Sequence, residues 1–302
     1  MEHLLKMEDL SKQEIIDILD LADQLKYEKK HGIEHHLLNG KTLGMIFSKS
    51  STRTRVSFEV GMYELGGNAI FLSERDIQLG RGESIKDTAR VLSRYLDGIM
   101  IRTYKQDDVE DLAKYGSIPI INGLTDYSHP CQVLADFMTI REKKGSFDNL
   151  KFCYIGDGNN MANSIIAGAL KLNVSIAIAC PDEYKPDMRL VERLNNNGLF
   201  SITNNPKEAV KNADVIFTDV WASMGQEAEQ EKRKKDFKGF TIGQELLKIA
   251  NKDAIVLHCL PAHKGEEITE EVFEKFADCI MDEAENRLHA QKAVMVKLLA
   301  NK

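Results

Sequence analysis

Two kinds of apolar pattern alternate along this chain. Short, nearly unbroken runs occur at Leu43-Gly44-Met45-Ile46-Phe47, Asn68 to Leu72, Gly98 to Ile101 and residues 118–121. They recur at Phe152 to Ile155, Val174 to Ala179, Asp214 to Asp219 and Ala254 to His258. Runs of this length and continuity predict strands covered on both faces. Between them apolar residues return every three or four positions, as on a helix with one buried side. Ser11-Lys12-Gln13-Glu14 has the form of a capping box, and Ile15, Ile18, Leu19, Ala22 and Leu25 follow at helical spacing. A helix after residue 51 is expected to bury Val56, Val60, Tyr63 and Met62 and to end near Gly66-Gly67. Further helices are predicted from Ser84 to Tyr95, over 107–115, from Pro130 to Lys144 and over 285–300. Strand–helix alternation throughout predicts an α/β protein of two doubly wound domains with mostly parallel sheets. The polar stretch Arg141 to Asn149, with Gly145, marks the boundary. Residues 1–144 then form one domain and 145–284 the second, with a terminal helix over 285–302 packing back on the first.

Composition narrows the function. A chain of 302 residues suits two domains, and 43% hydrophobic with 29% charged residues is ordinary for a soluble globular protein. A formal charge of -7 and a pI near 5.7 argue against nucleic acid as a partner. The five cysteines, Cys131, Cys153, Cys180, Cys259 and Cys279, are odd in number, widely spaced and form no C-x-x-C. They suit a reducing cytoplasm rather than a disulfide framework or a zinc ribbon. Neither a membrane-spanning stretch nor a signal-peptide core is visible, so the expected location is cytoplasmic, with no membrane partner.

The densest chemistry follows the first strand, at Ser50-Ser51-Thr52-Arg53-Thr54-Arg55. A strand that turns into a helix presents free N–H groups and the positive end of the helix dipole. Hydroxyls and two guanidiniums at that turn suit a phosphate dianion, the plainer alternative being a capped helix with solvated arginines. No glycine-rich nucleotide loop is present, which favours a small phosphate compound over ATP. Arg102 ends a buried strand, aimed into a cleft or paired with Asp107 or Asp108. His129-Pro130-Cys131-Gln132 places an imidazole and an amide at a helix start, for a ligand or for capping. Gly156-Asp157-Gly158-Asn159-Asn160 begins like a dinucleotide fingerprint but lacks the third glycine. Its asparagines offer instead a hold on a carboxylate or amine.

Asp219-Val220-Trp221-Ala222-Ser223-Met224-Gly225 is another strand exit, with a carboxylate fit for an α-ammonium and donors fit for an α-carboxylate. The run Gln226 to Lys238 reads as a solvated, mobile segment or a lid. His258-Cys259-Leu260-Pro261 closes the last strand. His258, Cys259 and His263 fit no zinc spacing, so no metal is expected; a Cys–His acylation couple lacks an identifiable third group. Glu285-Asn286-Arg287-Leu288-His289 places one more arginine at the expected start of the last helix.

Taken in order, these segments resemble the aspartate/ornithine carbamoyltransferase family, its ornithine branch most closely, over nearly the whole chain. Ser51-Thr52-Arg53-Thr54-Arg55 and His129-Pro130-Cys131-Gln132 are general to such enzymes, whereas Asp219 with Ser223-Met224-Gly225 and His258-Cys259-Leu260-Pro261 look ornithine-specific. Gln78-Leu79-Gly80-Arg81-Gly82-Glu83-Ser84 matches a loop that reaches a neighbouring subunit in this family, with Arg81-Gly82 where some members carry His-Lys. The resemblance implies a carbamoyl-phosphate domain and an ornithine domain, transfer of the carbamoyl group to the δ-amine of L-ornithine, and trimers or multiples of trimers. No metal or organic cofactor is implied. Carbamoyl phosphate would be held by Ser51, Thr52, Arg53, Thr54, Gln78, Arg102, His129, Pro130, Cys131, Gln132, Cys259, Leu260 and Arg287. Ornithine would be held by Asn160, Asp219, Ser223 and Met224. The catalytic set implied is Arg53, Arg102, His129, Gln132, Asp219, Cys259 and Arg287. A putrescine carbamoyltransferase, a nicotinamide-dependent dehydrogenase and a non-catalytic phosphate-binding module are the rivals.

Overall fold

The computed structural model describes residues 1–194, 198–223 and 225–300. They form two compact units: Met1–Met138 with Glu285–Lys302, and Thr139–Ala284. Each is built on one parallel sheet flanked by helices.

The first unit contains β1 (Thr42–Phe47), β2 (Asn68–Ser73), β3 (Gly98–Arg102) and β4 (Ile120–Leu124), in the order β2-β1-β3-β4. β1 and β3 are central and buried almost throughout, while β2 is an edge strand with exposed positions. Phe47 is in register with Arg102, so the loops leaving β1 and β3 emerge side by side. The chain departs to opposite sides of the sheet after these two strands, and such a switch point is where parallel sheets collect ligands. Ile46, Ile99, Ile101, Val109, Leu112 and Ile120 fill the core beneath.

The second unit contains β5 (Lys151–Ile155), β6 (Ser175–Ala179), β7 (Phe200–Thr203), β8 (Val215–Thr218) and β9 (Ile255–His258), in the order β7-β6-β5-β8-β9. Its switch point lies between β5 and β8, whose exits are Gly156–Asn160 and Asp219–Ser223.

Several sequence expectations change. On the helix Thr52–Glu64 the buried residues are Thr54, Phe58, Gly61 and Met62, whereas Val56 and Tyr63 are exposed. The expected inner stripe is therefore partly an outer one. The strand expected at 118–121 is Ile120–Leu124: Pro119 has no N–H to add to a ladder, and pairing with β3 continues past Gly123. β7 adds to the expected strands: Phe-Ser-Ile-Thr is a short, half-exposed edge strand without a continuous apolar run. The final helix begins at Ala277, not 285, which puts Arg287 in its interior rather than at its start. Part of the segment expected to be solvated, Gln230–Asp236, is a helix.

Candidate active site

In the first unit Ser51 caps the helix Thr52–Glu64, its Oγ accepting from the Thr54 N–H at 3.2 Å. This leaves the helix N-terminus and its dipole at the β1 exit. The Thr54 hydroxyl is buried and accepts from two guanidiniums, Arg102 Nη1 at 3.5 Å and Arg287 Nη2 at 3.3 Å. Arg287 also donates from Nη1 to Gln132 Oε1 at 2.7 Å. Its Nε and Nη2 donate to Gln291 Oε1 at 3.1 and 2.9 Å. Gln132 Nε2 in turn donates to Asp136, and Gln291 Nε2 to Ser57 Oγ. Four separate stretches of chain are tied together in this way: the β1 exit, the end of β3, the helix that starts at Pro130, and the terminal helix.

His129 is buried beside them, and burial followed by the positive fields of Arg287, Arg102 and Arg53 holds its protonation well below the ordinary range. It is a neutral imidazole at working pH, able to donate to a carbonyl oxygen without adding charge. Pro130 and Cys131 follow at the helix start. The Cys131 thiol points to the Asn122 carbonyl and is pushed up to about 12 by burial, so it is not a nucleophile. Thr52 is exposed on the same turn. Gln78 is exposed on a single 3-10 turn, Gln78–Arg81, and among the described residues its side chain forms no bond to this cluster. Lys49 was not singled out by the sequence pattern: it is buried two residues before Ser51, 4.1 Å over the Tyr104 ring and bonded to Asp126 at 2.5 Å.

In the second unit Asp219 follows β8 and is buried. Its Oδ1 accepts from the Val220 N–H at 2.8 Å and from the Cys259 thiol at 3.1 Å, and its Oδ2 from Asn159 Nδ2 at 3.0 Å. Asn159, the neighbour of Asn160, thus touches Asp219 while capping the helix Asn160–Lys171. Asn160 is buried on that helix's first turn, and Ser223 donates its N–H to Gln226 Oε1 at 3.0 Å. Met224 lies outside the described residues. Leu260 takes a left-handed φ of 58° and donates its N–H to His258 Nδ1 at 2.9 Å. Because Nδ1 accepts, His258 presents Nε2–H to Glu267, 2.9 Å away. Neither ring nitrogen of His258 is left to activate Cys259, so His258 is not the base of an acylation couple.

The dinucleotide alternative also loses its ground. Gly158 has no room for a Cβ, which would lie 2.2 Å from the Pro186 N and 2.5 Å from the Tyr184 carbonyl. The close approach that a second fingerprint glycine grants to a pyrophosphate is here taken by the chain's own backbone. As for metals, His263, Glu266 and Glu267 offer ligand atoms within 4.8 Å of one another, but Lys234 already lies 3.1 Å from Glu266.

On a two-domain α/β framework one unit thus offers an arginine-lined helix terminus suited to a small anion, and the other a buried carboxylate among amide and thiol donors suited to an amino group. The family follows from comparison. Residues 2–142 match the aspartate/ornithine carbamoyltransferase carbamoyl-P binding domain, and 148–298 match the Asp/Orn binding domain of the same family. This chain belongs to the aspartate/ornithine carbamoyltransferase family. It is 56% identical to an ornithine carbamoyltransferase of Pelobacter propionicus, with 98% of each chain covered. The solved ornithine carbamoyltransferase of Pyrococcus furiosus superposes with a TM-score of 0.95 at 51% identity, covering 100% of this chain and 98% of that one. The anabolic ornithine carbamoyltransferase of Campylobacter jejuni gives 0.92 at 44% identity, with 99% of each covered. Among the described residues no helix is long and apolar enough to cross a membrane.

Proposed function

We propose that this protein is an ornithine carbamoyltransferase that converts carbamoyl phosphate and L-ornithine to L-citrulline and phosphate. The observation that carries the reading is the pair of hydrogen bonds that Arg102 and Arg287 donate to the Thr54 hydroxyl beside a Ser51-capped helix terminus. Phosphate oxygens seat on Ser51, Thr52, Arg53 and Thr54 and their N–H groups, and Arg53 and Arg102 neutralise the charge that grows as phosphate departs. Neutral His129 polarises the carbamoyl oxygen, and Gln132 meets the carbamoyl amide. Arg287 supplies a further cation on the carbamoyl side. Asp219 receives the α-ammonium of ornithine, with Asn160 and Ser223 at its other polar groups. Cys259, bonded to Asp219, fixes that carboxylate's direction.

The attacking δ-amine must be neutral, because an ammonium has no lone pair. An amine of this kind titrates near ~10.4, and a carboxylate neighbour would only favour its charged form. Turnover at subsaturating ornithine therefore rises with pH. The reading uses no metal and no organic cofactor.

The relative from Pyrococcus furiosus is named anabolic, which supports placing this reaction in arginine synthesis, in the cytoplasm. We read the assembly as trimers or multiples of trimers, and the exposure of the large apolar side chains Val56, Tyr63, Ile70 and Phe71 on the first unit supports contact with further copies. Incubation with carbamoyl phosphate and, separately, ornithine, putrescine and aspartate tests the acceptor. Citrulline from ornithine alone supports the reading, and turnover with putrescine but not ornithine overturns it.

A further inference from the structure

The charged run after Ser223 contains a residue that does not behave as a solvated one. Lys232, Lys235 and Lys238 are exposed, yet Arg233 is 6% exposed. A guanidinium out of water is tolerated only where its N–H groups meet acceptors. Nη1 of Arg233 donates to Asp157 Oδ2 at 2.6 Å and to the Trp221 carbonyl at 2.7 Å, and Nε donates to Glu229 Oε2 at 3.0 Å. Its face lies 4.9 Å from the centre of the Tyr184 ring, and the Tyr184 hydroxyl is held by Asp236 at 2.7 Å. One side chain thus joins the β5 exit through Asp157, the β8 exit through Trp221, and the helix Gln230–Asp236 on which it sits.

The Trp221 carbonyl is two residues from Asp219 and two from Ser223, at the centre of the loop assigned above to the amino acid. Fixing it fixes the path of that loop. Asp157 lies close enough to Asp219 for their charges to interact. An Asp157 paired with Arg233 leaves Asp219 as the carboxylate open to an ammonium. We propose that Arg233 is a positioning residue for the amino-acid substrate, holding the Asp219–Ser223 loop in its binding shape while cancelling the charge of Asp157. This rests on the reading of that loop as the ornithine holder.

Two mechanisms predict opposite signs. Ornithine carries a net positive charge, so if Arg233 acted only through its field, removing it would tighten ornithine binding. If Arg233 positions the loop, removing it weakens binding whatever the field does. The variants Arg233→Gln and Arg233→Lys, with Asp157→Asn as a separate break of the same clamp, are assayed in the full-length protein. Expected for Arg233→Gln is a rise in the ornithine KM of at least about tenfold, with kcat falling less than about fivefold and the carbamoyl phosphate KM within about twofold. Arg233→Lys, which keeps the charge without the paired bonds, falls between it and the wild type.

Trp221 is the single tryptophan, so its emission reports the loop directly during titration with L-norvaline, an amino acid of the same length without the δ-amine. The variants should need more norvaline for the same change. An ornithine KM that falls or stays within about twofold in Arg233→Gln, Arg233→Lys and Asp157→Asn overturns the proposal. So does a parallel rise in the carbamoyl phosphate KM, which would signal general loosening. A wild-type protein that neither forms citrulline nor responds to norvaline would instead refute the reading of the loop itself.

Discussion

Replacing Arg287 by methionine keeps most of the stem volume and deletes the guanidinium. Two buried acceptors then lose this donor, Gln132 Oε1 and Gln291 Oε1, while Thr54 Oγ1 keeps Arg102. At ~1–3 kcal/mol for each unsatisfied group the gross cost is ~2–6 kcal/mol. The offset is large, because a second cation is no longer buried with Arg102 at the Thr54 hydroxyl, so the net loss of stability should be about 1–3 kcal/mol. The effect on turnover is separate. Loss of one fixed positive group from a water-poor site where charge develops costs about 10²–10³ in kcat. Arg287 also ranks first among the charges that depress His129, so the imidazole should regain protonation nearer its ordinary range, visible in the ring ¹⁵N shifts across a pH series. Citrulline formation at varied carbamoyl phosphate and varied ornithine, together with thermal melts by circular dichroism, separates these effects. A well-folded Arg287→Met enzyme with kcat within about threefold of wild type would refute the reasoning, because it would place Arg287 outside the transition state.

Four further outcomes are expected. With wild-type protein, kcat/KM for ornithine should climb from pH 6 to 9 as the neutral amine becomes more abundant, and a flat profile contradicts direct attack by that amine. Asp157 is pushed up to about 6, chiefly by burial and then by Asp219 against the pull of Arg233. The gap in ornithine KM between wild type and Asp157→Asn should therefore be widest at pH 8 and should close toward pH 5, where wild type is also neutral there; a gap independent of pH removes Asp157 ionisation from the clamp. His289 is lowered to about 4, mainly by burial; the unfolded chain protonates near 6.5 and the folded one does not. Its share of stability is thus present above 6.5 and lost as pH falls from there toward 4, and urea midpoints of His289→Gln should lose less on acidification than those of wild type. Tyr63→Glu, which puts a charge at a position 82% exposed in the single chain, should leave the circular dichroism of the native protein unchanged yet lower the sedimenting mass toward one 34.1 kDa chain; an unaltered mass would take Tyr63 out of any interface.

The linear sequence was sufficient for whatever depends on neighbours along the chain. The capping box at Ser11 and Glu14 forms as read, with the Glu14 carboxylate on the Ser11 N–H at 2.9 Å, because all its atoms lie within one turn. The central strands announce themselves since burial on both faces demands continuous apolar residues, and the turn at Ser51–Arg55 does so by concentrating hydroxyls and guanidiniums where a strand becomes a helix. Alternation of the two patterns was enough for the fold class. What escaped was decided by contacts distant in sequence. β7 is held as an edge by β6, not by its own hydrophobicity. Val56 and Tyr63 share a helix with Phe58 and Met62, and only the packed sheet and terminal helix select which stripe goes inward. Arg233 looks like any cation in a charged run until Asp157, 76 positions earlier, closes over it. Local signals name the residues that carry charge and hydroxyls; tertiary packing decides which of them leave water, and burial is what makes a charge strong enough to bind or to position.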